Sequence, residues 1–217
     1  MAVENLVTLS DPRSAAAEAF RSLRTNLMFS SVENPIQTLL VTSPARENQK
    51  SSALANLAVT FAQSGNRTIL VDADLRQPKQ HQIWGIDNAR GLTSMMVDDS
   101  RFDDPPLSAT KVDNLQVLST GELPPNPADL LSGKRMDEIV ATLRERADYV
   151  LFDSPPVLAA TDAALLGIKL DGALLVVRAG DTRRDHTAQA RQALERVHVR
   201  IVGAVLTNAP RESTVAY

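Results

Sequence analysis

The sequence predicts an α/β protein in which a mostly parallel central sheet is covered by helices on both faces. Six short apolar runs of the strand type recur along the chain, and helix-periodic segments separate most of them. Strands that alternate with helices form right-handed crossovers, which bury a parallel sheet on both sides. A chain of 217 residues with 43% hydrophobic content can bury one such core. We therefore expect a single domain over residues 1–217.

Composition narrows the class of function. Lys and Arg number 23 against 26 Asp and Glu, so there is no basic excess of the kind that binds nucleic acid. The chain contains no cysteine, which excludes disulfides and thiolate metal sites and suits a reducing compartment. No apolar run reaches the roughly 18 residues of a membrane span, and no secretory leader precedes the first helix. We predict a cytoplasmic protein that reaches the membrane only through a partner, and no nucleic-acid partner.

The first elements are an extended lead-in over residues 1–14 and a helix over 14–29. Ser10 or Asp11 is positioned to cap this helix. The apolar positions of the helix recur at three and four, and Glu18, Arg21 and Arg24 lie on a second face. Spacing alone favours solvated i,i+3 ion pairs for that face.

Residues 38–65 are the most informative stretch. An apolar strand around Leu40 leads into a polar loop, and Lys50-Ser51-Ser52 then opens a helix over 50–63. A strand, a loop and a helix that begins with Lys-Ser form the frame of a phosphate-binding P-loop. The full motif would place Gly at positions 44 and 49, where this chain has Pro44 and Gln49, so the match is weak alone. Its candidate phosphate-binding residues are Arg46, Glu47, Asn48, Gln49, Lys50, Ser51 and Ser52.

The next strand, residues 67–72, ends in Asp72-Ala73-Asp74. Gly and Pro break the pattern over 81–113, which predicts short helices and loops. A strand follows at 115–118, then a Pro-rich irregular stretch at 121–127 and a helix at 132–145. Carboxylates at the carboxyl end of a strand lie where open α/β sheets bind ligands.

The last third repeats the alternation. Strand 149–153 ends in Asp153, and a helix over 159–168, a strand over 172–178, a helix over 183–197 and a strand over 201–207 follow. Asn208 comes directly after the last strand. One acid after a strand is explained as well by a helix cap. Several acids beside a strand-loop-Lys-Ser-helix are harder to explain in that way.

These strand ends carry the side chains that phosphoryl transfer needs. We assign Lys50 to phosphate charge, and Ser51 and Asp153 to Mg²⁺, directly or through water, because Mg²⁺ takes hydroxyl and carboxylate ligands while phosphates supply the rest. Asp72 or Asp74 serves the metal and activates the acceptor hydroxyl. The predicted catalytic residues are Lys50, Asp72 and Asp74, with Ser51, Asp72 and Asp153 as the metal ligands and Asn208 as a further cofactor contact.

Several motifs then resemble one family, the bacterial tyrosine kinases of the capsular polysaccharide type, in their free-standing cytoplasmic form. The matching segments are Glu18-Ala-Phe-Arg21-Ser-Leu-Arg24, Ile69-Leu-Val-Asp72-Ala-Asp74-Leu-Arg76, Gly121 with Pro124-Pro-Asn-Pro127, Val150-Leu-Phe-Asp153-Ser-Pro-Pro156, Leu174 to Gly180 and Leu206-Thr-Asn208. The resemblance covers nearly the whole chain. It implies a three-layer fold like that of the P-loop NTPases.

The resemblance also implies a function and partners. It implies an ATP- and Mg²⁺-dependent, autophosphorylating protein tyrosine kinase that regulates capsular or exopolysaccharide biosynthesis and export. A membrane-bound polysaccharide co-polymerase or activator is the implied partner. The family's ring-forming contact falls on Glu18, Arg21 and Arg24, and its phosphoacceptor falls on Tyr217 in a flexible tail over 211–217.

Two departures from the family keep alternatives open. The first Walker motif of the family carries Gly where this chain has Glu47 and Gln49, and the tail holds one tyrosine instead of a cluster. One alternative is a non-catalytic scaffold with a degenerate Walker A loop. Another is a partitioning-type P-loop ATPase, although the extra loop lysine of that group falls at Ala45 here.

Overall fold

The computed structural model describes residues 5–29, 34–46 and 49–209. Its strands are β1 (Thr38–Thr42), β2 (Thr68–Asp72), β3 (Ser108–Ala109), β4 (Leu115–Leu118), β5 (Tyr149–Asp153), β6 (Gly172–Arg178) and β7 (Ile201–Thr207). Its α-helices are α1 (Val7–Ser10), α2 (Ala15–Phe29), α3 (Lys50–Gln63), α4 (Gln80–Trp84), α5 (Leu92–Val97), α6 (Pro127–Ser132), α7 (Lys134–Arg146), α8 (Asp162–Gly167) and α9 (Arg184–Arg196).

The seven strands form one sheet in the order β3-β4-β2-β5-β1-β6-β7. Every neighbouring pair is parallel except β3 and β4. The predicted α/β fold with a mostly parallel sheet is therefore confirmed. This order puts β2, β5 and β1 side by side in the middle of the sheet, and their carboxyl ends share one edge.

Alternating residues of the central strands face two separate hydrophobic layers. Leu40, Leu70, Leu151 and Phe152 are each at most 1% exposed. Leu40 and Phe152 face the layer that α5, α7, α8 and α9 cover, whereas Leu70 and Leu151 face the layer that α2 and α3 cover. Each fully buried side chain of this size contributes roughly 1.5–3 kcal/mol. The two layers hold the carboxyl ends of the strands in fixed register.

The amino-terminal segment differs from the prediction. Residues 1–14 were expected to be extended, but Val7–Ser10 form α1, and residues 1–4 lie outside the described part. The backbone N–H and hydroxyl of Thr8 donate to Asn56 Oδ1 at 3.0 and 2.9 Å, which ties α1 to α3. Ser14, rather than Ser10 or Asp11, caps α2, because its hydroxyl accepts the N–H of Ala17 at 3.2 Å.

Three further elements depart from the predicted boundaries. The Pro-rich stretch contributes a helix, α6, because Pro127 is compatible with a first helical turn. Gly133 then adopts an extended conformation that separates α6 from α7. The helix predicted over 159–168 is shortened to α8, since residues before Asp162 form turns. The antiparallel strand β3 was not predicted at all.

The two edges of the sheet are unlike each other. The edge beyond β4 is closed by β3, which is only two residues long. At the other edge, β7 spans seven residues and pairs with β6 alone among the described strands. Within the described residues, none of the helices combines the length and apolarity needed to cross a membrane.

Candidate active site

The buried acids meet at the carboxyl ends of the three central strands. Asp72, the last residue of β2, lies directly across from Asp153, the last residue of β5. Both side chains are 0% exposed, and Asp74 two residues further along is 7% exposed. The sequence prediction that these acids lie together is consistent with this register, which follows from the parallel pairing of β2 and β5.

Lys50 is the first residue of α3 and only 4% exposed. Its ammonium forms an ion pair and hydrogen bond with Asp153 Oδ1 and lies 3.7 Å from Asp74 Oδ2. Burial disfavours the charged ammonium, but the attraction of Asp153 and Asp74 outweighs burial, so the pKa of Lys50 is raised. One cation thus holds two acids of the cluster.

Asp72 receives backbone donors instead of a cation. Its Oδ2 accepts the N–H groups of Lys79 and Gln80 at 3.0 and 2.8 Å, and its Oδ1 accepts the N–H of Asp74 at 3.3 Å. Burial, followed by repulsion from Asp153, raises the pKa of Asp72 to about 7 from 3.8. Three carboxylates surround one ammonium, so the cluster has an excess of negative charge. This excess favours the binding of a second cation.

A glutamine completes the cluster, and the sequence analysis missed it. Gln80 is 0% exposed at the start of α4. Its Nε2 donates to Asp153 Oδ2 at 2.8 Å and to the carbonyl of Ser51 at 3.1 Å. It lies eight residues beyond Asp72, and neither spacing nor motif singles out this position. Only the folded chain brings it to the acids.

Arg76 connects the loop after β2 to the loop after β5. Its Nε and Nη2 donate to the two oxygens of Asp162 at 2.8 and 2.9 Å. The carboxylate of Asp162 is fully buried at the start of α8, while the side chain of Arg76 is 45% exposed. This bidentate pair fixes the relative position of two loops that border the acids.

The loop between β1 and α3 is only partly described, since Glu47 and Asn48 lie outside the described residues. Gln49 has φ −111°, so the residue in place of the family's glycine adopts an ordinary negative φ. The replacement of glycine by Gln49 therefore causes no positive-φ strain at this position. The carbonyl of Pro44 accepts the N–H of Leu158 at 3.2 Å, which ties this loop to the segment after β5. Ser51 is buried and Ser52 half-buried in the first turn of α3.

A cavity of about 210 Å³ opens beside this cluster. Its wall contains four basic side chains and one acidic one, a balance that suits a phosphate-bearing ligand. The basic residues are Arg46, Lys50, Arg76 and Lys79, the acid is Asp74, and Ser51, Gln77, Pro155, Pro156 and Ala159 complete the wall.

A larger cavity, of about 710 Å³, lies near Val97, Leu123 and Leu130. None of its lining residues is basic, and it contains none of the acids at the strand ends. Phosphate chemistry therefore fits the smaller cavity better than the larger one.

The donor set suits a metal that a phosphate helps to hold. In the part of the chain that the structure describes, no three His, Cys, Asp or Glu side chains form a metal cage of their own. Mg²⁺ is commonly bound through one or two carboxylates together with substrate phosphates and water. Ser51 and Asp153, beside the phosphate-compatible cavity, fit that arrangement.

The remaining predicted site residues lie elsewhere. Asn208 follows β7, has φ 53°, and lines a cavity of about 420 Å³ next to Phe20 of α2. On α2, Arg21 pairs with Glu18 at 2.7 Å, whereas Arg24 donates to the carbonyl of Thr60 in α3 at 2.9 Å. These three residues therefore do not share one environment. Tyr217 lies outside the described residues.

The chain matches a family model, and several known proteins and solved structures are similar to it. Residues 36–209 match the family model described as ParA: NUBPL iron-transfer P-loop NTPase. The tyrosine-protein kinase YwqD of Bacillus subtilis (strain 168) is 39% identical over 202 residues, which cover 93% of this chain and 85% of that protein. The structure of the kinase domain of the Escherichia coli tyrosine kinase ETK is similar with a TM-score of 0.91 and 29% identity, over 100% of this chain and 85% of that chain.

A more distant structure shares the fold alone. The septum site-determining protein MinD from Pyrococcus horikoshii OT3, complexed with Mg-ADP, has a TM-score of 0.67 at 21% identity, over 82% of this chain and 72% of that chain. This MinD protein, whose structure contains Mg-ADP, and the present chain therefore have the same three-layer architecture.

Proposed function

Because the chain belongs to the bacterial tyrosine kinases within the ParA family of P-loop NTPases, we propose that it transfers the γ-phosphoryl group of ATP to protein tyrosine hydroxyls. Membership of this family implies a bound nucleotide and a metal ion. The observation that carries the proposal is the buried contact of Lys50 with Asp153 and Asp74 beside a basic cavity. Such a lysine is held ready to exchange a carboxylate for a phosphate.

The roles of the side chains follow from their positions. Lys50 releases Asp153 Oδ1 when a phosphate oxygen takes its place, so the charge of Lys50 remains paired throughout. Ser51 and Asp153 would hold Mg²⁺, and the ion would supply neutralisation of the phosphate charge. Asp72, which is as fully buried as Asp153, would contribute to the same metal site. A cation there would favour the charged form of Asp72.

Asp74 is the better placed of the two candidate bases. Asp74 lines the cavity and accepts backbone N–H groups on Oδ1 alone, whereas Asp72 does not line the cavity and accepts them on both oxygens. Asp74 accepts the proton of the tyrosine hydroxyl while the tyrosine oxygen bonds to the γ-phosphorus. The bond from that phosphorus to the bridging oxygen breaks, and ADP leaves with the electron pair.

The proposed setting is the regulation of capsular or exopolysaccharide biosynthesis and export. A membrane-bound co-polymerase or activator is the proposed partner. The protein is also proposed to self-associate through α2 and to be phosphorylated on Tyr217. The iron-transfer chemistry in the family description finds no support in this chain. Iron–sulfur clusters are held by Cys thiolates, and the chain has no cysteine.

Phosphotyrosine formation with Mg²⁺ and γ-labelled ATP tests the proposal directly. Lys50→Met is expected to lower labelling at least a hundredfold. Lys111→Met is the matched control, because Lys111 is exposed in the turn before β4, at the opposite edge of the sheet. Labelling by Lys50→Met equal to that of the control would remove Lys50 from the mechanism. Nucleotide binding without any labelling in the wild type would favour a scaffold instead.

A further inference from the structure

The carboxamide of Gln80 is buried, both N–H donors of its Nε2 are used, and its oxygen accepts one hydrogen bond. Nε2 donates to Asp153 Oδ2 and to the carbonyl of Ser51, and Oε1 accepts the indole N–H of Trp84 at 3.2 Å. Two acceptors on one side and one donor on the other fit only one orientation of the amide. Flipping it would bring oxygen against two acceptors and nitrogen against a donor. Trp84 therefore fixes the orientation in which Gln80 meets the acids.

Gln80 also joins the three elements that supply the site. Its amide contacts β5 through Asp153 and the first turn of α3 through Ser51, and its backbone N–H holds Asp72 of β2 at 2.8 Å. Lys50, by contrast, reaches acids only through its ammonium. Among the described residues, Gln80 is the neutral side chain through which the phosphate-binding helix and Asp153 are connected.

The two oxygens of Asp153 are divided between two partners. Lys50 holds Oδ1, and Gln80 holds Oδ2. Under the proposed function Lys50 leaves Oδ1 for a phosphate, and the carboxylate then depends on Gln80 to keep its orientation. An amide suits this task better than a second cation, because it fixes Oδ2 without neutralising the charge that a metal requires.

We infer that Gln80 is a positioning residue, which keeps Asp153 and the first turn of α3 aligned when Lys50 changes partner and couples that change to Trp84. This inference rests on the proposed function. On this inference α4 maintains the alignment of Asp153 with the first turn of α3, a role that neither the phosphate-binding loop nor the acids perform. A role in packing alone would make Gln80 replaceable by an apolar side chain of similar size.

The chain carries its own reporter of this contact. Trp84 is the only tryptophan, and its indole N–H is one hydrogen bond from Gln80 and two from Asp153. Binding of Mg²⁺ and a non-hydrolysable ATP analogue is expected to shift the emission of Trp84 in the wild type. The shift measures the coupling without requiring turnover.

Gln80→Met tests the inference, because methionine is similar in size and apolar. Gln82→Met, at an exposed position of the same helix, is the matched control. We expect Gln80→Met to lower kcat at least tenfold and to change the Kd of the ATP analogue less than threefold. The Mg²⁺ concentration for half-maximal activity should rise at least threefold. The shift in Trp84 emission on ligand binding should be lost. Gln82→Met is expected to behave as the wild type in all four measurements.

A folded Gln80→Met protein with wild-type kcat, Mg²⁺ dependence and emission shift would overturn the inference. If Gln80→Met does not fold, Trp84→Phe provides the test, since it removes the indole donor that orients the amide and keeps an aromatic ring at that position. About a threefold loss of kcat is expected there, and unchanged kcat would count against the inference. If the wild type labels no tyrosine, the proposed function fails, while the emission shift in Gln80→Met and Gln82→Met still decides whether Gln80 couples the site to Trp84.

Discussion

Asp72 and Asp153 lie directly opposite each other on neighbouring parallel strands, and neither side chain is exposed. Lys50 pairs with only one of them. Two adjacent buried carboxylates are unfavourable unless a proton or a second cation relieves the charge. This pair of carboxylates therefore lowers the stability of the free protein, and the same arrangement favours the binding of a cation.

Asp72→Asn is expected to remove a pH dependence of folding. With a folded pKa of about 7 and an ordinary value of 3.8, the folded state binds the extra proton between these values. Stability therefore falls as pH rises through that window, by roughly 1.4 kcal/mol per unit at most. Urea unfolding of the wild type without nucleotide should show this slope between pH 5 and 7, and Asp72→Asn should flatten it. Asp148→Asn, at an exposed acid, should keep the wild-type slope. Identical slopes in Asp72→Asn and wild type would contradict the assignment.

Lys50→Met is expected to destabilise the fold as well as to stop phosphoryl transfer. It leaves Asp153 buried beside Asp72 without its cation, and loss of one partner from a buried pair costs about 3–5 kcal/mol. The loss should be larger at pH 8 than at pH 5, since a proton can neutralise the cluster at the lower pH. Thermal melts against Lys111→Met measure it. A Tm equal to that of the control would show that the ion pair contributes little.

Arg76→Ala is expected to lower stability by about 2 kcal/mol, because it leaves the carboxylate of Asp162 buried without a partner. The value is below that of a fully buried pair because Arg76 is 45% exposed. Arg76→Lys should recover less than half of the loss, since an ammonium cannot replace the two parallel donors. A double-mutant cycle with Asp162→Ala gives the coupling. Zero coupling energy would show that the two loops are held by other contacts.

Of the two loop positions at which the family carries glycine, we expect Glu47 rather than Gln49 to limit ATP affinity. Gln49 has a negative φ, so Gln49→Gly relieves no strain and is expected to leave ATP affinity within about twofold. Glu47→Gly removes a negative charge from the loop that the sequence predicts to bind phosphate, and we expect a gain of about tenfold, which corresponds to ~1.4 kcal/mol. Calorimetry with a non-hydrolysable ATP analogue measures both variants, with Glu47→Gln as the control for charge alone. A gain confined to Gln49→Gly would refute this division.

Self-association through α2 is best tested with Arg21→Ala alone. Both contacts of Arg21, with Glu18 of the same helix and with the carbonyl of Pro12, are at the exposed surface, so its loss should change stability by less than about 0.5 kcal/mol. Arg24→Ala breaks a bond to α3 and is expected to cost roughly 1.5 kcal/mol, which would confuse any assembly assay. Light scattering with Mg²⁺ present should show a smaller species for Arg21→Ala at unchanged Tm. A wild type that is already monomeric at high concentration would remove the ring proposal.

The sequence predicted the elements that local patterns determine. Apolar runs that end in Asp72 and Asp153 identified strands β2 and β5, and Lys50-Ser51 identified the start of α3. Parallel pairing then sufficed to expect these residues at one edge of the sheet. The sequence did not reveal Gln80, because its partners are 29 and 73 positions away and a glutamine has no periodic pattern to follow.

Two other differences have local causes that propensity does not capture. Residues Val7–Ser10 of the lead-in form α1 because Thr8 donates two hydrogen bonds to Asn56 of α3. This tertiary contact stabilises a single helical turn. Glu18, Arg21 and Arg24 were predicted to lie on one face of α2 from their i,i+3 spacing. Arg24 instead donates to Thr60 of α3, a partner that helical spacing alone does not reveal.

The unequal edges of the sheet have a consequence for handling the protein. Among the described strands β7 pairs with β6 alone over seven residues, and the side chain of Leu206 on it is 58% exposed. Exposed edges of this length and apolarity are where chains add to one another in β-aggregation. The opposite edge is protected by β3, so aggregation during expression or concentration should begin at β7. A lysine at position 204 or 206, pointing outward from that strand, is the natural solubilising change.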